Sequence, residues 1–114
     1  MVATKGRRLP ERIEITLVSA RDMSQIHYRY HQDSEPTDVL TFDYGEILVC
    51  PAVAKEEAQA RNIPLAEELL RYCVHGLLHL AGWSDKGEKE RSAMWSEQER
   101  IVQRLLRPSD TSPR

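Results

Sequence analysis

Apolar and polar residues alternate from Arg12 to Val18, with Ile13, Ile15 and Leu17 on one side and Arg12, Glu14 and Thr16 on the other. A period of two predicts a half-buried strand. The spacing then lengthens to Met23, Ile26, His27 and Tyr30, the i, i+3, i+4, i+7 stripe of an amphipathic helix. Ser19, with Asp22 three residues on, opens that helix in the manner of a capping box, and Gln32-Asp33-Ser34-Glu35-Pro36 closes it with turn-forming residues. Segments 38–42 and 46–50 read as strands around Asp43-Tyr44-Gly45, a link that suits an antiparallel hairpin. The helix between segments 13–18 and 38–42 favours a parallel, right-handed crossover between them.

Pro51 stands where a first-turn proline belongs, and the helix it opens runs to Arg61 with Asn62 to close it. The next helix, about Pro64 to Ala81, carries Leu65, Leu69, Leu70, Cys73, Val74, Leu77, Leu78 and Leu80 on more than one side. So apolar a helix is central and largely buried, and Gly82 terminates it. Glu88 to Leu106 forms a last helix with Ala93, Met94, Ile101, Val102 and Leu105 as packing residues. The expected architecture is α/β (α+β): one domain over residues 1–114, a small mixed sheet packed with about four helices. Residues 1–8 and 107–114 are expected to be flexible.

At 114 residues and 40% apolar content the chain can bury one core. The mean hydropathy of −0.55 and the lack of any long apolar run argue against a membrane span, and the N-terminus has no apolar stretch of signal-peptide type. A cytoplasmic protein is expected. Cys50 and Cys73 lack metal-finger spacing and are expected to pack as small buried hydrophobes. The net charge of −2 is unevenly spread: residues 1–12 and 100–114 each carry +3, so 13–99 carries −8. Basic surface of the kind a nucleic acid needs is thus confined to the ends.

Two of the four histidines, His75 and His79, lie four residues apart on the most apolar helix. Both imidazoles therefore project from one face, the spacing of helical zinc sites. The pattern continues as His-x-x-x-His-x-x-Gly-x-x-Asp, and a chain turning at Gly82 can fold Asp85 back as a third ligand. Two nitrogens and a carboxylate oxygen leave a fourth position for water, as in catalytic zinc sites. The residues alone leave a second reading open, in which the rings are simply packed and hydrogen-bonded.

Residues 75–85 read HGLLHLAGWSD, which resembles the signature His-Gly-x-Leu-His-Leu-x-Gly-Tyr-Asp-His of the YbeY family of bacterial metal-dependent endoribonucleases. Pro36-Thr-Asp-Val-Leu-Thr-Phe42 is similar to the family's Pro-Thr-Asp-Val-Leu-Ser-Phe, and Gly45-Glu-Ile47 to its Gly-Asp-Ile. The blocks fall in family order over about residues 12–105. The resemblance implies a metal-dependent, single-strand-specific endoribonuclease in ribosomal RNA maturation, partnered by ribosomal RNA and the small ribosomal subunit. It implies one catalytic ion, zinc in the first instance with manganese or iron as alternatives, held by His75, His79 and Asp85. Asp85 stands at the family's third histidine and Ser84 at its preceding aspartate. The family's Tyr-Arg falls on Tyr30-His31, so its active-site arginine is His31 here, with Arg29 two residues away. The link between Phe42 and Gly45 is shorter than in the family, which trims an edge of the sheet.

Arg71, one turn before His75, shares its stripe and is expected to hold a phosphate, with His31 or Arg29 as second cation or proton shuttle. The competing readings are an ion pair of Arg71 with Glu67 or Glu68 and a solvated helix-end histidine for His31. Thr37, Asp38 and Thr41 either line the substrate cleft or form turns. Two other functions compete. A peptide-directed metallohydrolase is disfavoured by Gly76, which occupies the place of a helical metalloprotease's general-base glutamate. A ribosome-associated binding module with a structural metal is disfavoured by the open fourth ligand position.

Overall fold

The computed structural model describes residues 9–31 and 38–107, with only the backbone given for Tyr30 and His31. In chain order its elements are β1 (Glu14–Leu17), α1 (Ala20–His31), β2 (Val39–Phe42), β3 (Glu46–Val49), α2 (Pro51–Arg61), α3 (Leu65–Leu80) and α4 (Glu88–Leu106). The architecture is the small mixed sheet with four helices expected from the hydrophobic pattern. The expected turn at 32–36, residues 1–8 and residues 108–114 lie outside the described residues.

β3 is the central strand, and both of its faces are buried. Ile47 and Val49 turn toward Ala54, Tyr72 and Leu80 of α2 and α3, whereas Leu48 joins Leu40 and Met23 on the opposite face, under α1. α3 is in turn covered on its far side by α4, where Val74 and Leu78 meet Met94 and Val102. The order of layers is therefore α1, sheet, α3 with α2, then α4, and α3 runs through the middle. Its apolar residues surround it because it has packing partners on two sides.

The strand order is β1-β3-β2, with β1 parallel and β2 antiparallel to β3. This corrects the expected parallel crossover from the first strand to the second. The hairpin reverses the chain once more, so the strand parallel to β1 is β3, and β1 and β2 run in opposite directions. The burial of β1 also differs from expectation. Ile15 and Leu17 stand beside Ile47 and Val49 but are 47% and 62% exposed. α3 packs across β2 and β3 and leaves this edge strand uncovered. Ile13, just before β1, and Val18, just after it, reach the core instead.

Local chemistry sets the boundaries as read. Ser19 Oγ accepts the backbone N–H of Asp22 at 3.0 Å and caps α1. Asn62 adopts the left-handed conformation, φ 59°, and ends α2. Gly45, φ 118°, closes the hairpin, where a Cβ would collide with the Arg12 carbonyl oxygen. On α4 the packing residues are Met94, Gln98 and Val102 with Ile101 partly covered. Ala93 and Leu105, expected to pack, face solvent, because the contact stripe follows a strict i, i+4, i+8 line. Cys50 is fully buried and Cys73 partly so, both as free thiols.

Candidate metal centre

About one turn before its C-terminus, α3 passes so close to β3 that a Cβ at Gly76 would lie 2.8 Å from Ile47 Cγ2. Glycine is needed here for close approach, and no side chain fits where a metalloprotease would place its glutamate. The contact seats His75 and His79 at the edge of the sheet. Their Nε2 atoms are 3.1 Å apart and the rings are T-shaped.

The helix then ends in a Schellman turn. Trp83 N–H donates to Leu78 O at 2.9 Å and Gly82 N–H to His79 O at 3.0 Å, with Gly82 at φ 99°. The reversal returns Asp85 to the histidines. Its Oδ2 lies 3.4 Å from His79 Nε2 and 3.9 Å from His75 Nε2. Ligand atoms about 2.1 Å from a tetrahedral ion stand about 3.4 Å from one another. The three observed separations bracket that spacing, so these residues fit a divalent cation. Among the described residues, His75, His79 and Asp85 form the one group of three or more metal-ligating side chains that converge.

The surroundings of His79 favour its neutral form. Burial and the neighbouring His75 together hold His79 below the ordinary histidine range, although Asp85 and a backbone hydrogen bond at Trp83 oppose the shift. His75 is oriented by Gln98 of α4, which is 3% exposed. Gln98 Nε2 donates to Glu99 Oε2 at 3.2 Å, and a carboxylate only accepts, so Gln98 Oε1 is the atom 2.8 Å from His75 Nδ1. His75 therefore carries its proton on Nδ1 and presents the Nε2 lone pair to the centre.

Arg71 continues this chain of contacts. Nε and NH2 donate to the two oxygens of Glu99 at 2.8 and 3.0 Å, NH1 donates to Glu68 at 3.0 Å, and NH2 to Glu67 at 3.1 Å. Four of its five N–H groups thus face carboxylates. The Glu99 hydrogen bond, against the cost of burial, raises its pKa further and keeps it charged. Of the two readings of Arg71, the structure displays the ion pairs with Glu67 and Glu68 and adds Glu99. The side chain of His31 and residue Thr37 lie outside the described residues. Asp38 and Thr41 border the centre, in a cavity of about 550 Å³ that also includes His75, His79, Ser84 and Lys86. A second cavity, about 480 Å³, opens on the other side of His75 and Asp85.

Gln98, Glu99 and Tyr72 are site neighbours that no motif in the sequence marks. A usable signal was present for the first: Met94, Gln98 and Val102 are spaced i, i+4, i+8, so a glutamine interrupts an apolar stripe and needs a buried partner.

The family model for Endoribonuclease YbeY matches residues 2–106. The chain belongs to the YbeY family. Endoribonuclease YbeY of Thermotoga maritima is 35% identical over 100 residues, covering 82% of this chain and 67% of the relative. That of Elusimicrobium minutum is 35% identical over 105 residues, covering 82% and 73%. A solution structure of a Thermotoga maritima protein superposes with a TM-score of 0.61 at 33% identity, covering 89% of this chain and 75% of its own. Family membership thus agrees with the small mixed sheet and its four helices. No described helix is long and apolar enough to cross a membrane.

Proposed function

We propose that this YbeY-family chain is a metal-dependent endoribonuclease that hydrolyses single-stranded ribosomal RNA during its maturation in the cytoplasm, with the small ribosomal subunit as its setting. The observation that carries the reading is the convergence of His75, His79 and Asp85 at ligand spacing beside an open cleft, within a chain that matches an endoribonuclease family. One divalent ion is assigned, zinc first, with manganese or iron accommodated by the harder carboxylate ligand. When bound, it supplies Lewis acidity toward a phosphoryl oxygen and lowers the pKa of water.

The chain's own groups do the rest. Gln98 holds the His75 tautomer, and the Gly82 turn sets Asp85, so the three donors are positioned before the ion arrives. Arg71 is assigned to this support through Glu99, with direct phosphate contact as its alternative role. His31 is assigned as the cation or proton shuttle, with Arg29 as its substitute, on the alignment of Tyr30-His31 with the family's Tyr-Arg. The test is cleavage of a single-stranded RNA oligonucleotide by purified protein, its loss in chelator, and its return on adding zinc or manganese. Chelator-resistant cleavage, or none with any divalent ion, overturns the reading.

A further inference from the structure

We propose that the cavity of about 480 Å³ enclosed by α2, α3 and α4 is a nucleobase pocket, which takes the base next to the bond cut at the centre, stacks it on Trp95 and hydrogen-bonds its edge to Tyr72. The proposal rests on the RNA-cleaving reading above and names the substrate group that a neighbouring site receives. His75 and Asp85 form part of the pocket wall. A strand whose phosphate lies at these residues therefore has an adjacent nucleotide at the pocket mouth.

Three features select a base. The first is Trp95, a large aromatic side chain left 47% exposed at the rim. Arg61 Cζ lies 5.9 Å from its ring centroid, a cation–π contact that orients the indole and offers a planar guanidinium beside it. Aromatic and arginine planes are the stacking surfaces that single-stranded nucleic-acid sites use. The second is Tyr72, 95% buried in the wall, whose hydroxyl makes no hydrogen bond of good geometry among the described residues and has only a weak contact with the Glu68 carboxylate. Buried hydroxyls in folded proteins are normally fully satisfied, so an under-satisfied one in a cavity wall has capacity left for a ligand contact. Burial, with Asp38 and Glu68 nearby, pushes its pKa well above the ordinary tyrosine range. It therefore stays protonated and both donates and accepts.

The third feature is charge. Arg61 and Arg91 at the pocket are offset by Asp38, Glu57 and Glu68, and the guanidinium of Arg71 is already committed to carboxylates. A free phosphate entering this space would meet carboxylates. A neutral planar ring with N–H donors and acceptors on its edge would meet partners of both kinds. The volume lies within the range of small-molecule sites.

The test uses the metal-loaded protein and a short single-stranded RNA with one cleaved bond. It is compared with two versions carrying an abasic nucleotide on either side of that bond. Trp95→Ala should lower kcat/KM on the intact RNA about 10- to 100-fold, and Trp95→Phe should recover most of the loss. One of the two abasic substitutions should cost the parent protein about as much, yet cost Trp95→Ala nothing further. Tyr72→Phe should keep or raise the melting temperature, since it removes an under-satisfied group, and should flatten the preference among the four bases. If the abasic penalty is as large in Trp95→Ala as in the parent, the pocket holds no base.

A second measurement separates this proposal from the activity. The Trp95 indole N–H resonance, assigned by its absence in Trp95→Phe, is followed while each of the four ribonucleosides is added to the protein. Should the protein cleave no RNA, a saturable shift still supports the pocket while the endoribonuclease reading fails. Should it cleave RNA with no indole shift and no loss in Trp95→Ala, the pocket proposal fails alone.

Discussion

Replacing Arg71 by methionine distinguishes a structural cation from a phosphate-binding one. The guanidinium is 7% exposed, Glu68 is 3% exposed, and Glu67 and Glu99 are 21% and 23% exposed. Methionine matches the stem but leaves three carboxylates without their shared donor. Removing one partner of a buried ion pair costs about 3–5 kcal/mol. Glu67 and Glu99 can partly rehydrate, which places the expected loss near the lower end, about 3 kcal/mol. At about 4 °C per kcal/mol for a domain of this size, the melting temperature should fall by about 12 °C. The deficit should shrink on acidification. Burial alone would raise Glu99, and the Arg71 hydrogen bond is the main force holding it low. In the variant the Glu99 carboxyl binds a proton more readily in the folded chain than in the unfolded one, so stability is regained as pH falls from 7 toward 5. Thermal unfolding of parent and variant at both pH values, with RNA cleavage in parallel, is the assay. A variant that melts within about 3 °C of the parent at pH 7 but no longer cuts RNA refutes the structural reading and assigns Arg71 to the phosphate.

Gly76→Ala should destabilise by about 1–2 kcal/mol in chemical denaturation, because overpacking against Ile47 outweighs the gain in helix propensity; equal stability would mean that the helix is free to move off the sheet. Asp85→Asn and His79→Ala should each lose most bound metal by elemental analysis with the fold intact, whereas Asp85→His should retain it; metal held equally by all would remove Asp85 from the centre. His79, depressed mainly by burial and by His75, stays neutral in the fold while the unfolded chain protonates near pH 6.5. The metal-free protein should therefore lose stability as pH falls below about 6.5, a loss that His79→Ala abolishes in pH-dependent melting curves. Gln98→Leu should weaken metal affinity about 10- to 100-fold and let the His75 proton move between ring nitrogens, as read by imidazole nitrogen shifts.

The helix ends were legible because each rests on a residue with a local conformational reason: Ser19 as cap, Asn62 and Gly82 in turns that tolerate positive φ. The convergence of His75, His79 and Asp85 was legible for the same reason. Four residues of helix fix the relation of His75 to His79, and a left-handed Gly82 fixes the return of Asp85. What escaped the sequence depended on where neighbouring elements stop. Alternation in Ile13, Ile15 and Leu17 identified a strand, but only the path of α3 across β2 and β3 decides that two of those residues remain exposed. Gly76 read as an absent glutamate, whereas its cause is a strand 29 positions earlier in the chain that leaves no room for a Cβ. Gln98 and Glu99 reach His75 and Arg71 only through the packing of α4 on α3, a pairing that no local pattern encodes.

That packing also bears on how a chain with −8 over residues 13–99 handles a polyanion. Next to the centre, Arg71 and Arg61 are set among Glu57, Glu67, Glu68 and Glu99, so the cluster is left with about two uncompensated negative charges, and Asp85 adds a third. Without an ion, this region repels a phosphate diester. A divalent cation between His75, His79 and Asp85 offsets most of that excess at the point where the phosphate must lie, within a Debye length of the carboxylates. The same acidic surroundings should thus make RNA approach conditional on metal loading. The affinity of the protein for single-stranded RNA should accordingly rise when the centre is filled. The basic ends of the chain, each +3 net even with Glu11 and Asp110 counted, should contribute the ion-independent part of the attraction.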